Sequence, residues 1–234
     1  METLARGAQA LGLPLTPHQR ELFETYYREL TDWNRRINLT AIVGYQKVQT
    51  RHFLDSLSVA LALPPGASRV IDIGSGAGFP GVPLKIALPH LHMVLVESVA
   101  KKTAFLTHLL SSLGLEGVEV LTGRAEEAAH RPGYREAFDA VLSRAVAPLT
   151  VIAELALPLA RIGGRAIAQK KGDISAELTS ATRAIALMGG RVLEVREVPA
   201  AGLEGHLVVV LEKVSPTPEA YPRRAGLPAK RPIM

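Results

Sequence analysis

The chain of 234 residues contains no cysteine. This absence excludes disulfide bonds, thiolate metal sites and thiol nucleophiles. The sequence also lacks an apolar run near the ~18 residues that a membrane span needs, and no signal peptide opens it. We therefore expect a cytoplasmic protein that uses neither a membrane nor a metal.

Charge of one sign is in excess, but it is unevenly distributed. The formal net charge is +5 at pH 7, and the last twenty residues hold four Lys or Arg against one acidic residue. This excess of positive charge points to an acidic partner. Hydrophobic residues make up 47% of the chain, which is enough for one good core with a modest extension.

The most informative stretch joins a short apolar run to a cluster of glycines. Residues 70–73 have the pattern of a buried strand, and Gly74, Gly76 and Gly78 follow before a helical pattern begins. Glycine lets the backbone turn sharply and approach a ligand, and a helix start directs N–H groups toward it. Glu97 ends the next apolar run, where a carboxylate would meet a ribose hydroxyl. These features predict the cofactor-binding crossover of an α/β domain.

Two cofactors fit this glycine spacing. Gly76, Gly78 and Gly81 satisfy the G-x-G-x-x-G pattern of dinucleotide enzymes, which is a weak signal when it stands alone. Gly74, Gly76 and Gly78, preceded by Asp72, equally resemble the first motif of class I S-adenosylmethionine methyltransferases. The glycines alone leave both alternatives open.

The order of the predicted elements favours the second alternative. Apolar runs alternate with helical patterns, which is typical of a parallel sheet covered on both faces. We predict strands near 70–73, 92–97, 117–122, 138–143 and 164–169, and helices near 81–88, 100–113, 124–129, 148–160 and 173–187. The runs 190–198 and 206–213 are too close for an intervening helix and should form an antiparallel hairpin. A terminal hairpin is typical of methyltransferases, whereas a dinucleotide enzyme would usually continue with a substrate domain.

The residues before the first strand predict helices. Thr16 and Gln19 form a potential capping box with Pro17 in the first turn, and a second helical stretch runs over 48–61. The predicted fold is a class I, Rossmann-like α/β domain whose mostly parallel, seven-stranded sheet ends in the hairpin. We expect an N-terminal helical extension at 1–66, the methyltransferase domain at 67–214 and a basic Pro/Arg-rich tail at 215–234.

Two further loops follow strands at the edge where open α/β sheets bind ligands. Ala125 and Glu126 come after the third strand, where backbone groups and an acid can bond an adenine edge. The acids there would equally complement the N-terminus of a helix. Arg144 follows the fourth strand, and we expect this loop to lie over the reacting centre.

Five motifs, taken in order, resemble the RsmG (GidB) family of methyltransferases. They are Asn38-Leu-Thr-Ala-Ile42, Arg51-His-Phe-Leu-Asp-Ser-Leu57, Asp72-Ile-Gly-Ser-Gly-Ala-Gly-Phe-Pro-Gly81, Ser143-Arg-Ala145 and Tyr221-Pro-Arg-Arg-Ala-Gly-Leu-Pro-Ala-Lys-Arg-Pro232. The resemblance runs from about residue 20 to the C-terminus. It implies transfer of a methyl group from S-adenosylmethionine to N7 of a guanine in the 530 loop of 16S rRNA. The implied partner is the rRNA, the small subunit or an assembly intermediate, and we expect a monomer.

The loops and the resemblance together define candidate site residues. The cofactor candidates are Asp72, Gly74, Ser75, Gly76, Gly78, Phe79, Glu97, Ser98, Val99, Ala125, Glu126 and Arg144. Arg144 and His52 are the candidate catalytic residues. A guanidinium after the fourth strand would donate to guanine O6 or hold the carboxylate of the cofactor, and the sequence leaves both open.

Guanine N7 carries an in-plane lone pair, so its attack on a sulfonium methyl group needs orientation rather than a general base. Consistently, Ser143-Arg-Ala145 stands where methyltransferases of exocyclic amines carry an Asn/Asp-Pro-Pro-Tyr loop. Three alternatives remain: a methyltransferase of another substrate, an assembly factor that binds the cofactor without turnover, and a nicotinamide enzyme.

Basic residues are the candidates for contacts to RNA phosphates. They are Arg51, Lys170, Lys171, Arg223, Arg224, Lys230 and Arg231. The prolines of the tail should keep its backbone extended. We expect deletion of residues 219–234 to leave cofactor affinity intact while reducing methylation.

Overall fold

Seven strands form one mixed sheet in the computed structural model, which describes residues 1–234. The strands are β1 (Arg69–Ile73), β2 (His92–Glu97), β3 (Val118–Thr122), β4 (Phe138–Arg144), β5 (Ala160–Lys171), β6 (Gly190–Glu197) and β7 (His206–Lys213). Their order is β3-β2-β1-β4-β5-β7-β6, with β7 antiparallel to both neighbours and every other pair parallel. This arrangement confirms the predicted fold class and its terminal hairpin.

Helices cover both faces of this sheet and precede it. They are α1 (Glu2–Ala10), α2 (Pro17–Ile37), α3 (Tyr45–Val48), α4 (Asp55–Leu57), α5 (Gly81–Ala87), α6 (Ala100–Leu113), α7 (Ala125–Ala128), α8 (Leu149–Ala156), α9 (Ser175–Leu187) and α10 (Leu227–Lys230). None of these helices has both the length and the apolar character that a bilayer crossing requires.

Alternate residues of the central strands enter two separate cores. Val70 of β1 packs in a core that also contains Phe23 of α2, whereas Ile71 packs on the opposite face with Ile152 of α8. The period of two follows from the pleat of a strand. Because both faces are buried, Val70, Ile71 and Ile73 of β1 are all apolar, which explains why its sequence identifies it so clearly.

Strand β5 is the element whose prediction was least accurate. It begins at Ala160 rather than near 164, and α8 accordingly ends at Ala156 instead of near 160. Gly163 and Gly164 resemble a turn in the sequence, but here they accompany a register shift against β4. A Cβ on Gly164 would lie 2.8 Å from the carbonyl oxygen of Phe138, so glycine allows a close strand approach.

The N-terminal extension is tied to helix α5 by Gln19 of the predicted capping box. Thr16 Oγ1 accepts from the backbone N–H of Gln19, and Gln19 Oε1 accepts from the N–H of Thr16. The amide of Gln19 also donates to the carbonyl of Ile86, near the end of α5, at 2.8 Å. The first helix, α1, was not predicted, because Leu4 and Ala8 are its only buried residues and their pattern is weak.

The second predicted helical stretch is present but changes its winding. After α3, residues Gln49–Leu54 form a π-helical turn, and after α4, residues Ser58–Ala62 form a 3₁₀ helix. Such π-turns are uncommon and occur frequently at functional sites. This one includes His52, and Asp55 of α4 follows it directly; both side chains are buried.

Candidate functional site

The strand order reverses between β1 and β4, which is where open α/β sheets bind ligands. The carboxyl ends of the two strands are adjacent, since Ile73 is in register with Ser143. Gly74 follows β1 with φ = +70°, and a Cβ there would lie 2.9 Å from Cγ2 of Val146. Glycine is therefore needed both for the backbone conformation and for the approach of the loop after β4.

Asp72 lies beneath this glycine turn and is fully buried. Its Oδ2 accepts from the backbone N–H of Gly81 at 3.0 Å and so fixes the start of α5. Its Oδ1 is buried without a hydrogen-bond partner. Burial raises the pKa of Asp72 to about 7, against the opposing hydrogen bond from Gly81. A buried carboxylate oxygen without a donor is suited to a cationic ligand.

Glu97 connects the glycine turn to the loop after β2. Its Oε2 accepts from the N–H of Gly76 at 3.0 Å, and its Oε1 accepts from the N–H of Val99 at 2.8 Å. Each carboxylate oxygen keeps lone-pair capacity for another donor, such as a hydroxyl group. Ser98 lies between these contacts and lines the neighbouring cleft.

A cleft of about 90 Å³ opens beside this turn. Its lining residues are Ile73, Gly74, Val96, Ser98, Gly123, Arg124, Ala125, Glu126, Val146 and Leu155. Within it, Oε1 of Glu126 accepts from the N–H of Gly226 at 2.8 Å, so the tail engages the acid predicted to meet adenine. A larger cleft of about 460 Å³ lies between the C-terminal ends of α5 and α6 and contains none of the predicted site residues.

Aromatic rings close the other side of the turn. The hydroxyl of Tyr26 donates to the carbonyl of Ala77 at 2.5 Å, and its ring stacks on Phe79 with centroids 5.4 Å apart. His52 stacks on Phe79 at 4.3 Å with an interplanar angle of 8°. Tyr26 belongs to α2, far from the glycine turn along the chain, so this contact is a role that the sequence did not reveal.

Arg144 ends β4 and points its guanidinium at the π-helical segment. Its Nη1 lies 3.2 Å from Oδ2 of Asp55, and its Nη2 lies 2.5 Å from Nδ1 of His52. The guanidinium carbon is 5.2 Å from the centroid of Phe79, within the range of a cation–π contact. The next residue, Ala145, adopts φ = +54°, a strained turn at the edge of the site.

His52 serves Arg144 as a neutral acceptor. Because Nδ1 accepts from the guanidinium, the proton resides on Nε2, which donates to Thr40 Oγ1 at 2.8 Å. Burial, reinforced by the charge of Arg144, lowers the pKa of His52 to about 3. Both ring nitrogens of His52 are thus engaged in hydrogen bonds, one of them with Arg144.

The basic residues predicted to contact RNA fall into two groups. Lys170 is 2.5 Å from Glu177, and Arg223 lies 2.6 Å from Glu154, whose side chain is fully buried. These two therefore have carboxylate partners within the protein. The exposed residues that form no ion pair are Arg51, Lys171, Arg224, Lys230 and Arg231.

The tail is packed against the domain rather than extended freely. Arg135 donates to the carbonyls of Thr217 and Tyr221, each at 2.8 Å, and His130 contacts the carbonyl of Pro222 at 2.9 Å. A single helical turn, α10, follows. Sequence reasoning missed this packing because the partners lie more than 80 positions away along the chain.

Asp55 is the other site residue that the sequence left without a role. It belongs to the motif at 51–57, and the spacing of that motif gives no sign of its partner on β4. The signal that existed was the motif itself, which gathers polar residues in an otherwise apolar helical stretch.

A sequence model of the family described as GidB, rRNA small subunit methyltransferase G, matches residues 19–208. The ribosomal RNA small subunit methyltransferase G of Dehalococcoides mccartyi is 52% identical over 235 residues and covers 100% of both chains. The protein of the same name from Moorella thermoacetica is 46% identical, covering 98% of this chain and 97% of its own.

Two solved structures share the fold of this chain. Geranyl diphosphate methyltransferase in complex with GPP and sinefungin gives a TM-score of 0.57 at 12% identity, covering 85% of this chain and 100% of its own. A mutant of MtNAS in complex with S-adenosylmethionine gives 0.54 at 17% identity, covering 91% and 77%. At these identities the similarity concerns the fold alone.

Proposed function

The chain belongs to the GidB family of small-subunit rRNA methyltransferases, and we propose that it transfers a methyl group from S-adenosylmethionine to N7 of a guanine in 16S rRNA. The resemblance of its motifs to the family points to the 530 loop as the target. The observation that carries the proposal is the juxtaposition, at the switch point of the sheet, of a glycine turn with positive φ angles, a buried carboxylate with one unpartnered oxygen and a fixed guanidinium.

The residues at the glycine turn fit S-adenosylmethionine. The unpartnered oxygen of Asp72 would accept from the cationic end of the cofactor, and Glu97 would accept from its ribose hydroxyls. Adenine would occupy the cleft between Ser98 and Ala125. The bound cofactor supplies an activated methyl group on a positively charged sulfur. The remaining cofactor candidates are Gly74, Ser75, Gly76, Gly78, Phe79, Val99, Glu126 and Arg144.

The transfer itself needs geometry and no proton acceptor. The N7 lone pair would form the new N–C bond as the methyl–sulfur bond of the bound donor breaks, and the positive charge would pass from sulfur to the purine. The neutral state of His52, with both ring nitrogens engaged, supports this reading. We propose that the Nε–H of Arg144, which has no protein partner, donates to guanine O6 and leaves the N7 lone pair free.

Contacts to the RNA backbone would come from the exposed cations. Arg51 lies beside His52 on the π-helical turn, and Lys171 ends β5 on the same edge of the sheet as Arg144. We propose that these two residues contact phosphates, together with Arg224, Lys230 and Arg231 of the tail. The helical extension at 1–66 and the tail at 215–234 would thus frame the domain at 67–214.

Mass analysis of rRNA from cells lacking the protein tests the proposal. We expect one 7-methylguanosine to be missing from the small-subunit rRNA, and purified protein with labelled S-adenosylmethionine should restore it. Restoration should fail with Arg144→Ala and with Asp72→Ala. An unchanged modification pattern in the deleted strain would refute the assignment. Labelling of a different base would retain a methyltransferase but refute the proposed target.

A further inference from the structure

Behind Arg144 lies a chain of largely buried polar groups that crosses from α4 to the hairpin. Asp55 Oδ2 lies 3.2 Å from Arg144 Nη1, and Asp55 Oδ1 lies 2.9 Å from Nδ1 of His206. The side chains are only 7% exposed for Asp55, 14% for Arg144 and 16% for His206. One carboxylate thus links the guanidinium to the first residue of β7.

The backbone of Asp55 is held independently of its side chain. Its carbonyl accepts from Nε2 of Gln169 on β5 and from Oγ of Ser58, both at 2.6 Å. These bonds fix the peptide but leave the rotation of the carboxylate group free. The contact with His206 is the one that fixes this rotation, since it occupies the oxygen that Arg144 does not use.

The guanidinium needs this support because it is buried. Burial lowers the pKa of Arg144 and the charge of Asp55 opposes that effect, so the carboxylate compensates the cost of the buried positive charge. A carboxylate free to rotate would let the guanidinium shift away from Phe79. A displacement of one ångström in an orienting group can cost a large factor in rate.

We infer that Asp55 and His206 are positioning residues for methyl transfer: His206 orients the carboxylate of Asp55, which in turn holds the guanidinium of Arg144 where the target base is received. This inference rests on the proposed function. Neither residue contacts the reacting atoms, so each acts through Arg144.

Substitutions at His206 give the sharpest test, because this residue is at the start of β7 and outside the core. His206→Leu removes the donor while keeping a similar bulk. His206→Asn restores an N–H at nearly the position of Nδ1. We expect His206→Leu to lower kcat for methylation of small subunits about tenfold, or ~1.4 kcal/mol, with KM for S-adenosylmethionine changed less than about twofold. His206→Asn should recover most of this loss.

A spectroscopic measurement separates positioning from general stability. Rotation of the Arg144 guanidinium about its Nε–Cζ bond, followed by side-chain ¹⁵N NMR, should be slow in the wild type. It should accelerate in His206→Leu and return toward the wild-type rate in His206→Asn. The matched control is Glu212→Gln, which breaks another ion pair on β7, with Arg191, and should change neither kcat nor the guanidinium rotation.

The inference is overturned if His206→Leu keeps the wild-type kcat and guanidinium rotation. It is also overturned if His206→Asn is as slow as His206→Leu, because the donor would then not be the cause. Asp55→Asn provides a second check, with a loss at least as large as that of His206→Leu. Failure of the wild-type protein to methylate any small-subunit RNA would instead overturn the proposed function.

Discussion

The buried neutral state of His52 makes the stability of the fold sensitive to acid. In the unfolded chain an imidazole titrates near 6.5, whereas in the folded protein the pKa of His52 is lowered to about 3. Above pH 6.5 the ring is neutral in both states and its contribution to stability is fully present. As the pH falls below 6.5, His52 becomes protonated in the unfolded state but stays neutral in the folded state, so stability is lost progressively toward pH 3.

The size of this loss follows from the two pKa values. Each pH unit below 6.5 costs about 1.4 kcal/mol until the folded ring itself titrates, which gives about 2 kcal/mol between pH 8 and pH 5. Replacing His52 by Gln removes the titrating group. From pH 8 to pH 5, the decrease in the free energy of unfolding should then be about 2 kcal/mol smaller in His52→Gln than in the wild type.

Urea titrations at pH 8 and pH 5 measure this difference. The single tryptophan, Trp33, packs on Phe105 and reports unfolding by its fluorescence. Any pH-independent destabilisation caused by His52→Gln cancels, because only the change between the two pH values is compared. His18→Gln is the matched control, since this imidazole is 77% exposed and should leave the pH dependence unaltered. Equal pH dependence in His52→Gln and wild type would refute the buried neutral imidazole.

Three further outcomes follow from the site and the tail. Gly74→Ala should weaken binding of S-adenosylmethionine at least about tenfold in calorimetry, because its φ of +70° and the adjacent loop both exclude a Cβ. Deletion of residues 219–234 should lower the free energy of unfolding, measured in urea, by about 3–5 kcal/mol, because the loss of Arg223 leaves the carboxylate of Glu154 buried and unpaired. An unchanged midpoint of urea unfolding would contradict this prediction. The affinity for the cationic cofactor should rise between pH 6 and pH 8 as Asp72 ionises, and Asp72→Asn should lose that part of the rise.

The packing of the tail changes what we expect from the deletion of residues 219–234. The prolines and charges of the tail predicted an extended segment whose removal would leave cofactor affinity intact while reducing methylation. In the structure the tail supplies a hydrogen bond to Glu126 at the cleft and the ion partner of Glu154. Reduced methylation after deletion must therefore be compared with the stability of the truncated protein before it is attributed to RNA contacts.

The parts of the fold that the sequence predicted well are those governed by local pattern. β1 and β2 are buried on both faces and read as apolar runs, and the capping box of α2 is completed within three residues. The end of β1 was also predictable, since the glycines that follow it have conformations that few other residues adopt.

Two kinds of feature could not be predicted from the sequence. The first is a contact between residues far apart along the chain, and the second is a change of helix type that no particular residue pattern marks. His206 meets Asp55 across 151 positions, and no local pattern pairs them. The π-helical turn at 49–54 uses residues that an ordinary α-helix accepts equally well. In the sequence, Lys170 and Arg223 look like any exposed cations. They differ from Lys171 and Arg224 only because the fold places the carboxylates of Glu177 and Glu154 beside them.

The electrostatic design of the site matches a reaction that moves charge without moving a proton. Arg144 is held by Asp55 and by a histidine whose pKa is too low for it to compete for protons near neutrality. Asp72 is the group of this site whose pKa lies near 7, and its unpartnered oxygen is where a cationic ligand would remove the cost of burying its negative charge. In the proposed function, Asp72 would thus supply the negative charge that binds the methyl donor, whereas the groups that would orient the acceptor keep constant protonation. A general base at His52 would disturb this separation, because its protonation would place a second positive charge against Arg144.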